Sequence, residues 1–295
     1  MGAPGQPGPP DVVKQQVAAH WNRRAPGFDE DFGHSIRTAA ERAAWDRILN
    51  LVLPAGGRLD ALDAGCGTGF QAKLLTGLGY ETHGLDIAAG MLAVARRRMP
   101  KLPVVQGTIE ALPYESGVFD AIVCCGSTLS FVGDAAGALR EFGRVLQAGG
   151  LLLLECEHRG RLDLAWALVN SVTGDRLGYG LTPGQAWRQI VGNGAEGIWT
   201  EYPGYGAIRL FKARELRALL GVAGLTPINT WGIHSATNLI PSTILHRERV
   251  GPVLAAVYRG LRAIDRGLTS FPPARSLANS LMVLARKDEA RNGVE

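Results

Sequence analysis

The sequence predicts an α/β protein built on a doubly wound, mostly parallel β-sheet, and three observations support this prediction. Short apolar segments alternate along the chain with segments of helical spacing, which is typical of βαβ units. A turn with three glycines, Gly65, Gly67 and Gly69, follows the first of these apolar segments and precedes a helix. Residues 151–156 are dominated by leucine, as expected of a central strand that is buried on both faces.

The individual elements follow from the same periodicity. The helix over 36–53 is supported by four large apolar side chains on one face: Trp45, Ile48, Leu49 and Val52. Apolar runs predict strands over 59–62, 81–87, 104–107, 119–125, 151–156, 226–233 and 277–287. Helical spacing predicts further helices over 12–21, 70–78, 88–99, 135–146, 162–172 and 211–220.

Composition limits the class of protein. A chain of 295 residues is long for one domain, and we expect a single core with insertions. The net charge of +4 is dispersed, so no nucleic acid partner is expected. Residues 1–10 lack the features of a signal peptide, and no stretch reaches the roughly 18 apolar residues of a transmembrane segment. We predict no metal site and a cytoplasmic location, with four buried thiols: Cys66, Cys124, Cys125 and Cys156.

The glycine turn predicts a close approach between backbone and ligand, because glycine adopts positive φ and carries no side chain. A dinucleotide-binding pattern would require its third glycine at position 70, where this chain has Phe70. Asp63, two residues before the turn, would repel a pyrophosphate and favours a cationic ligand. Binding of NAD or FAD, and hence an oxidoreductase, is the less favoured alternative.

The segment Leu62-Asp63-Ala64-Gly65-Cys66-Gly67-Thr68-Gly69 resembles the first motif of class I S-adenosylmethionine-dependent methyltransferases of the small-molecule, ubiquinone-menaquinone methyltransferase-like type. Residues 144–150, Arg-Val-Leu-Gln-Ala-Gly-Gly, are similar to that family's R-V-L-x-P-G-G turn. The resemblance covers roughly residues 12–157 and 207–235. It implies a Rossmann-like, seven-stranded sheet with an antiparallel last strand. It also implies S-adenosyl-L-methionine as cofactor and S-adenosyl-L-homocysteine as product.

Asp86 ends the second predicted strand, 21 residues after Gly65. An acid at this point of a βαβ unit lies beside the first loop and can accept both ribose hydroxyls, although it can also serve as a helix N-cap. Thr108 stands where the family has an adenine-binding aspartate, and Glu110 is expected to face solvent. The resemblance implies cofactor contacts by Asp63, Gly65, Cys66, Gly67, Gly69, Asp86, Ile87, Met91, Thr108, Ile109, Cys125, Phe28 and Arg24.

The N-terminal segment resembles the family's W-x-x-R-A-x-x-Y/F-D pattern, which implies that Trp21, Arg24 and Phe28 form a lid over the cofactor. An N-terminal helix that simply packs on the sheet is the alternative. We divide the chain into a disordered tail (1–10), an N-terminal helical lid (11–57), the cofactor-binding core (58–157), an inserted acceptor-binding lid (158–209), the rest of the core with a helical insertion (210–287) and a tail (288–295). The inserted lid is rich in aromatic residues: Tyr179, Trp187, Trp199, Tyr202 and Tyr205.

The acceptor is expected to be a small apolar or aromatic molecule, methylated on oxygen rather than on nitrogen or carbon. Residues 125–128, Cys-Gly-Ser-Thr, replace the D/N/S-P-P-Y/F tetrapeptide of nucleobase amino methyltransferases. Methyl transfer needs a base only when the acceptor must lose a proton. His158 and His234 are the candidate catalytic residues, since each follows a core strand; His20 and His34 are alternatives. A non-catalytic cofactor-binding protein is the third alternative.

The apolar stripe over residues 250–268 allows three interpretations. It can pack on the core, form a lid wall or dimer seam, or lie on a membrane surface as a peripheral contact. A monomer and a homodimer both stay open.

Overall fold

The computed structural model describes residues 10–30, 35–54, 58–160, 162–174, 176–177, 179–191, 198–202, 206–245 and 250–289. Its strands are β1 (Asp60–Ala64), β2 (Glu81–Asp86), β3 (Val104–Gln106), β4 (Phe119–Cys124), β5 (Leu146–Glu157), β6 (Ile198–Tyr202), β7 (Gly206–Leu210), β8 (Leu225–Ile233) and β9 (Ser280–Lys287). Its helices are α1 (Pro10–Arg24), α2 (Ile36–Val52), α3 (Phe70–Gly77), α4 (Ala89–Arg98), α5 (Ala135–Val145), α6 (Asp163–Val172), α7 (Pro183–Val191), α8 (Ala213–Val222), α9 (Ser242–Leu245), α10 (Pro252–Leu268) and α11 (Pro272–Arg275).

Seven strands form one sheet in the order β3-β2-β1-β4-β5-β9-β8. Strands β1 to β5 pair in parallel, and β9 is inserted antiparallel between β5 and β8. The expected α/β class, with a mostly parallel Rossmann-like sheet and an antiparallel last strand, is therefore confirmed. The strand order reverses between β1 and β4, which is the point where open sheets of this kind form a ligand-binding crevice.

Both faces of the sheet are covered, as the strand composition predicts. On one face, Leu62, Ile122 and Leu152 pack with side chains of α5 and α8, including Phe142 and Leu216. The opposite face carries the alternate residues of the same strands, which pack against α2 and α3: Ala61, Ala121, Val123 and Leu153 against Trp45, Ile48, Leu49 and Leu75. The apolar face predicted for α2 thus packs on the core. Along each buried strand, successive side chains enter the apolar layers on opposite sides of the sheet.

Tertiary contacts explain why the bounds of β5 and α8 differ from the sequence expectation. Strand β5 begins at Leu146, because Leu146 pairs with Phe119 across a register shift, so residues predicted as a turn belong to the strand. Helix α8 begins at Ala213 rather than at position 211, since Phe211 bridges to His158 and Glu215 caps the helix from its first turn.

The insertion predicted over 158–209 contains α6, α7 and the antiparallel hairpin β6–β7. Leu164 of α6 packs with Ile208 and Leu210 of the hairpin, so the segment has a small apolar cluster of its own. No hairpin was predicted here, because its pairing depends on partners rather than on periodicity alone. The tails predicted over 1–10 and 288–295 lie almost wholly outside the described residues.

Helix α10 buries one face and exposes another. Leu254, Tyr258 and Leu261 pack beside Ala40, Ile240 and Leu245. Val253, Val257 and Ile264 of the predicted stripe are instead exposed by 78%, 50% and 51%. Packing on the core therefore accounts for only part of the stripe. No helix of the described residues is long and apolar enough to span a membrane.

The close approach of α5 to the turn before β8 generates a stability prediction. A Cβ atom at Gly143 would lie 2.4 Å from the backbone oxygen of Ala223. We expect Gly143→Ala to lower the free energy of unfolding by about 1–3 kcal/mol, because backbone has to move to make room. The control is Gly221→Ala in α8, where a Cβ meets nothing within 4 Å and stabilisation of about 0.4–1 kcal/mol is expected.

Urea unfolding of both variants beside the parent protein measures the difference. Equal stabilisation by the two substitutions would contradict the packing described for α5.

Candidate functional site

A cavity opens at the carboxyl-terminal ends of the parallel strands, at the point where the strand order reverses. Loops after all five of these strands contribute to its lining: Gly65, Cys66, Gly67, Thr68, Asp86, Ile87, Gly107, Thr108, Ile109, Glu110, Cys125, Gly126, Ser127, Thr128 and Glu157. The N-terminal helices contribute a second wall, which includes Lys14, Val17, Trp21, Phe28, Arg37, Thr38, Glu41, Arg42 and Trp45. The cavity thus has a wall of strand ends and a wall of helices.

The glycine loop is fastened to the end of β2 by its own amides. The backbone N–H groups of Gly65 and Cys66 donate to the Leu85 carbonyl at 2.7 and 2.9 Å, and that of Gly69 donates to the Cys66 carbonyl at 2.8 Å. All three loop glycines have positive φ, and a Cβ at Gly65 would lie 2.4 Å from Thr128 Oγ1. A Cβ at Gly67 would meet nothing within 4 Å, so this loop leaves space beside the cavity at Gly67.

Asp63 does not line the cavity. Its buried carboxylate accepts a 2.7 Å hydrogen bond from the Ala72 amide in the first turn of α3. Burial raises its pKa to about 8, although this hydrogen bond opposes the shift, and the charge of Asp86 adds to it. The helix N-terminus that would receive a phosphate in a dinucleotide site is therefore already occupied by a side chain of the protein. Asp63 therefore disfavours a phosphate ligand because it takes up an amide at the start of α3, and not because it lines the cavity.

Asp86 holds the two loops beside it together. Its carboxylate accepts hydrogen bonds from the amides of Gly67 at 2.9 Å and Ala88 at 2.8 Å, so it fastens the glycine loop and the residue that precedes α4, but it does not cap that helix. It also lines the cavity, and each carboxylate oxygen retains capacity for a further donor. Burial raises its pKa, and the backbone hydrogen bonds lower it. A ligand hydroxyl at Asp86 is consistent with this geometry.

The expectation that Glu110 faces solvent was wrong. Its side chain is 5% exposed, forms a 3.3 Å ion pair with Lys14 of α1, and lines the cavity. Thr108 Oγ donates to the Glu110 carboxylate at 3.1 Å. Thr108 and Ile109 line the cavity as predicted, and the tertiary contact with α1 explains the burial of the acid beside them.

The N-terminal segment lies over the cavity. The Trp21 ring makes edge contacts with Phe28 and with Phe131, at centroid distances of 5.8 and 5.5 Å. Asp29 accepts a hydrogen bond from Thr68 of the glycine loop at 3.1 Å and pairs with Arg42 at 3.1 Å. Trp21 and Phe28 line the cavity, as does Met91, whereas Arg24 is outside the lining.

The two predicted catalytic histidines are outside the cavity lining. Buried His158 has its Nδ1 3.2 Å from the Ala278 carbonyl oxygen. His234 adopts φ 57° and has its Nδ1 3.1 Å from Thr237 Oγ1. The aromatic residues predicted to bind the acceptor are likewise absent from the described lining: Tyr179 hydrogen-bonds Asp163, and Trp187 is 54% exposed. The side chains of Trp199, Tyr202 and Tyr205, like His34, lie outside the described residues.

Sequence reasoning missed the charged groups that do line the cavity. Arg37 and Glu41 project from α2 at helical spacing with Trp45, so they continue the apolar stripe of that helix with charges. Glu157 ends β5 two residues after Glu155, on the same face of the strand. Two signals in the sequence could have revealed these residues. One is the pair of acids in a central strand, and the other is the pair of charged residues that continues an apolar helix face.

The described residues contain no cluster of histidine, cysteine and acidic side chains that could hold a metal ion. All four cysteines are free and buried, and burial raises the pKa of each thiol.

Comparisons with known proteins agree with this geometry. Residues 62–154 match a family model described as a methyltransferase domain. Over these residues the chain is similar to class I S-adenosylmethionine-dependent methyltransferases. A malonyl-acyl-carrier protein O-methyltransferase of Serratia marcescens is 32% identical over 166 residues, which are 56% of this chain and 62% of the relative. A ubiquinone biosynthesis O-methyltransferase of Methylocella silvestris is 34% identical over 137 residues, 45% of this chain and 52% of the relative.

The chain thus spans about three fifths and about half of the length of these two relatives. An S-adenosylmethionine-dependent methyltransferase from Thermotoga maritima, a possible histamine N-methyltransferase, shares the fold. Its TM-score is 0.55 at 18% identity, over 92% of this chain and 100% of that one. The cofactor of this family, S-adenosylmethionine, fits the site: Asp86 offers a buried carboxylate to hydroxyls, and the open space beside Gly67 admits a ligand.

The raised pKa of Asp63 predicts how stability depends on pH. The folded protein holds a proton on this carboxyl that the unfolded chain loses near pH 4, so its contribution to stability falls as pH rises from about 4 to about 8. One such group changes the free energy of unfolding by up to about 1.4 kcal/mol per pH unit. We expect Asp63→Asn to flatten the decline measured by urea unfolding between pH 5 and 8.

The control is Asp60→Asn at the exposed start of the same strand, which should leave the pH dependence of the parent protein unchanged. An unaltered slope in Asp63→Asn would show that this carboxyl is ionised in the folded protein.

Proposed function

We propose that this protein is an S-adenosylmethionine-dependent methyltransferase that moves a methyl group to the oxygen of a small acceptor molecule. The observation that carries the proposal is the single cavity that joins Asp86 and the glycine loop to an open chamber beside Cys125, Phe131 and Glu157. A cofactor and an acceptor can meet there while the N-terminal helices keep water out. When bound, the cofactor supplies an electrophilic methyl group on a sulfonium.

The residues around the cofactor would divide its recognition between them. The backbone of Gly65, Cys66 and Gly67 would lie against it, shaped by the φ of Gly69, and Asp86 would accept hydrogen bonds from the ribose hydroxyls. The adenine ring would lie among Ile87, Met91, Thr108 and Ile109. Cys125 would lie beside the transferred methyl group, and Phe28 would cover the cofactor, with Arg24 behind it.

The rest of the chemistry is positioning, because displacement at a sulfonium needs an aligned acceptor and little else. Trp21, Phe28 and Phe131 form an apolar cover, and Asp29 ties this cover to the glycine loop through Thr68. The insertion over 158–209 contributes Ile208 to the same chamber, which supports its proposed role as an acceptor-binding lid. The cytoplasmic location, and the choice between monomer and homodimer, stay predictions.

A NAD- or FAD-dependent oxidoreductase is not supported. The Gly65, Cys66 and Gly67 amides are directed to β2, and Asp63 occupies the N-terminus of α3, so no cradle for a pyrophosphate is left at this loop. A non-catalytic cofactor-binding protein is the second candidate, since neither predicted histidine lies in the cavity lining. Binding and turnover have to be measured separately to distinguish it, because one fold supports many functions.

Calorimetric titration tests the binding half of the proposal. S-adenosylmethionine and S-adenosyl-L-homocysteine should bind, and NADH should not. Asp86→Ala should weaken the binding of both ligands at least about tenfold, because it removes a charged acceptor, worth about 1.5–3 kcal/mol for a hydrogen bond to a charged group. Glu81→Gln, at the exposed start of the same strand, should bind as the parent protein does.

Absence of binding by both sulfur ligands would overturn the proposed function. Binding without methyl transfer to any acceptor would favour the non-catalytic alternative.

A further inference from the structure

The acceptor end of the cavity contains three neighbouring carboxyl groups, of which one is fully buried. Glu41 of α2 and Glu157 at the end of β5 both line the cavity, and Glu155 lies just behind them with no exposed surface. These three acids belong to elements that are far apart in the sequence, so the fold itself brings them together. None of them takes part in the cofactor contacts proposed above.

The two glutamates of β5 are held by donors of the protein. Glu157 accepts hydrogen bonds from Ser127 Oγ at 3.0 Å and from Asn279 Nδ2 at 3.2 Å. Glu155 accepts from Ser280 Oγ at 2.7 Å and from the Gly126 amide at 2.9 Å. Both carboxylates are therefore fixed in place, and they stabilise the turn after β4 in which Ser127 adopts a strained φ of 59°.

Glu41 differs from these two glutamates. Among the residues that the structure describes, none donates a hydrogen bond to its carboxyl group, and the residue is a partly exposed part of the cavity lining. A ligand that supplies a donor is therefore favoured at this position. The side chain is placed to receive a proton or a hydrogen bond from whatever occupies the chamber.

The charges around Glu41 decide what such a ligand can be. Arg37 and Arg42 lie on its own helix, but Arg42 already pairs with Asp29 at 3.1 Å. Burial is the main cause that raises the pKa of Glu41, to about 8; Glu155 and Glu157 of β5 raise it further, and the two arginines oppose the shift. On α10, burial raises the pKa of the Tyr258 phenol to about 12; the charge of Arg37 lowers this pKa and that of Glu41 raises it.

Three acids thus lie close to Arg37, and when they are ionised they repel an additional anionic group at short range. A carboxylate acceptor, such as the name of the malonyl relative implies for that protein, is poorly matched to this chamber. A cationic amine would be held by ionised carboxylates, but as an ammonium it has no electron pair to donate. A neutral hydroxyl supplies the donor that Glu41 lacks.

We propose that the acceptor is a neutral hydroxyl compound, and that Glu41 binds this hydroxyl and accepts its proton, with Glu157 as a fixed neighbour that keeps anions out. The proposal rests on the methyltransferase function proposed above. The acceptor oxygen forms a bond to the methyl carbon, and the carbon–sulfur bond breaks with its electron pair staying on sulfur. The hydroxyl proton passes to the Glu41 carboxylate, so that charge and atoms balance.

The test uses two sets of compounds that differ only in the reacting group. One set is 4-nitrobenzyl alcohol, 4-nitrobenzoate and 4-nitrobenzylamine, and the other is 1-octanol, octanoate and octylamine. Equilibrium binding is measured on the full chain saturated with S-adenosyl-L-homocysteine, and methylated products are measured by mass spectrometry with S-adenosylmethionine. A hydroxyl member should bind at least about tenfold more tightly than its matched carboxylate and should be the compound that is methylated.

Glu41→Gln should lower kcat by at least about a hundredfold, the lower range for removal of a general base. It should also remove the rise of kcat with pH, since the parent carboxyl must lose its own proton before it can accept another. The carboxylate member should bind more tightly to this variant than to the parent protein, a change that a merely structural role would not produce. Asp46→Asn, on the exposed side of the same helix, is the matched control and should behave as the parent protein does.

Each outcome bears on one of the two proposals. Unchanged affinity of Glu41→Gln for S-adenosyl-L-homocysteine shows that the variant is folded. Methylation of a carboxylate or an amine, an unchanged kcat and pH profile in Glu41→Gln, or binding of cofactor without binding of either hydroxyl member would overturn the hydroxyl proposal and leave the proposed function standing. Failure of the parent protein to bind S-adenosylmethionine would overturn the proposed function itself.

Discussion

The hydrogen bonds between the glycine loop and the end of β2 are the constraint on which the site depends. The Leu85 carbonyl accepts hydrogen bonds from two loop amides, and the Asp86 carboxylate accepts one from the Gly67 amide. These bonds hold the loop against the sheet. The backbone of this loop forms one wall of the cavity, and most of its amides are already hydrogen-bonded within the protein. A ligand without phosphate fits such a wall, whereas a pyrophosphate would need the amides that the loop has already used.

Buried carboxyl groups are the second feature that shapes the molecule. Asp63 and Asp86 accept hydrogen bonds from backbone amides near the proposed cofactor site. Glu155 and Glu157 accept them from side-chain and backbone donors near the proposed acceptor site. Burial raises the pKa of Asp63, Asp86 and Glu155, so charge at this edge of the sheet is costly. A sulfonium cofactor brings a positive charge to that edge and would relieve part of this cost.

The N-terminal helices complete the cavity by spanning both ends of it. Lys14 and Trp21 of α1 lie over the strand ends, while α2 supplies Arg37 and Glu41 to the chamber. Asn22 accepts a hydrogen bond from the Gly90 amide at 2.7 Å, which attaches α1 to the start of α4. The proposed cofactor and acceptor sites therefore lie under the same two helices.

The sequence alone determined the parts of the molecule that depend on local chemistry. Glycine spacing at 65, 67 and 69, an acid at position 86 and the apolar runs of the strands are sufficient to predict the sheet and the cofactor side of the cavity, because each feature acts through its own backbone or its immediate neighbours. The exposed half of the α10 stripe and the β6–β7 hairpin were not predictable in this way, since periodicity does not state which partner a segment will have.

Only the tertiary structure decided the acceptor side. In the sequence, Glu41 resembles an ordinary charged residue of a helix and Glu157 the end of a strand, and no spacing relates these two residues across more than a hundred positions. The position of His158 directly after β5 predicts a place at the edge of the sheet, yet its ring nitrogen lies beside the Ala278 carbonyl. The direction of a side chain depends on strand alternation and helix packing, and these are fixed only when the elements meet.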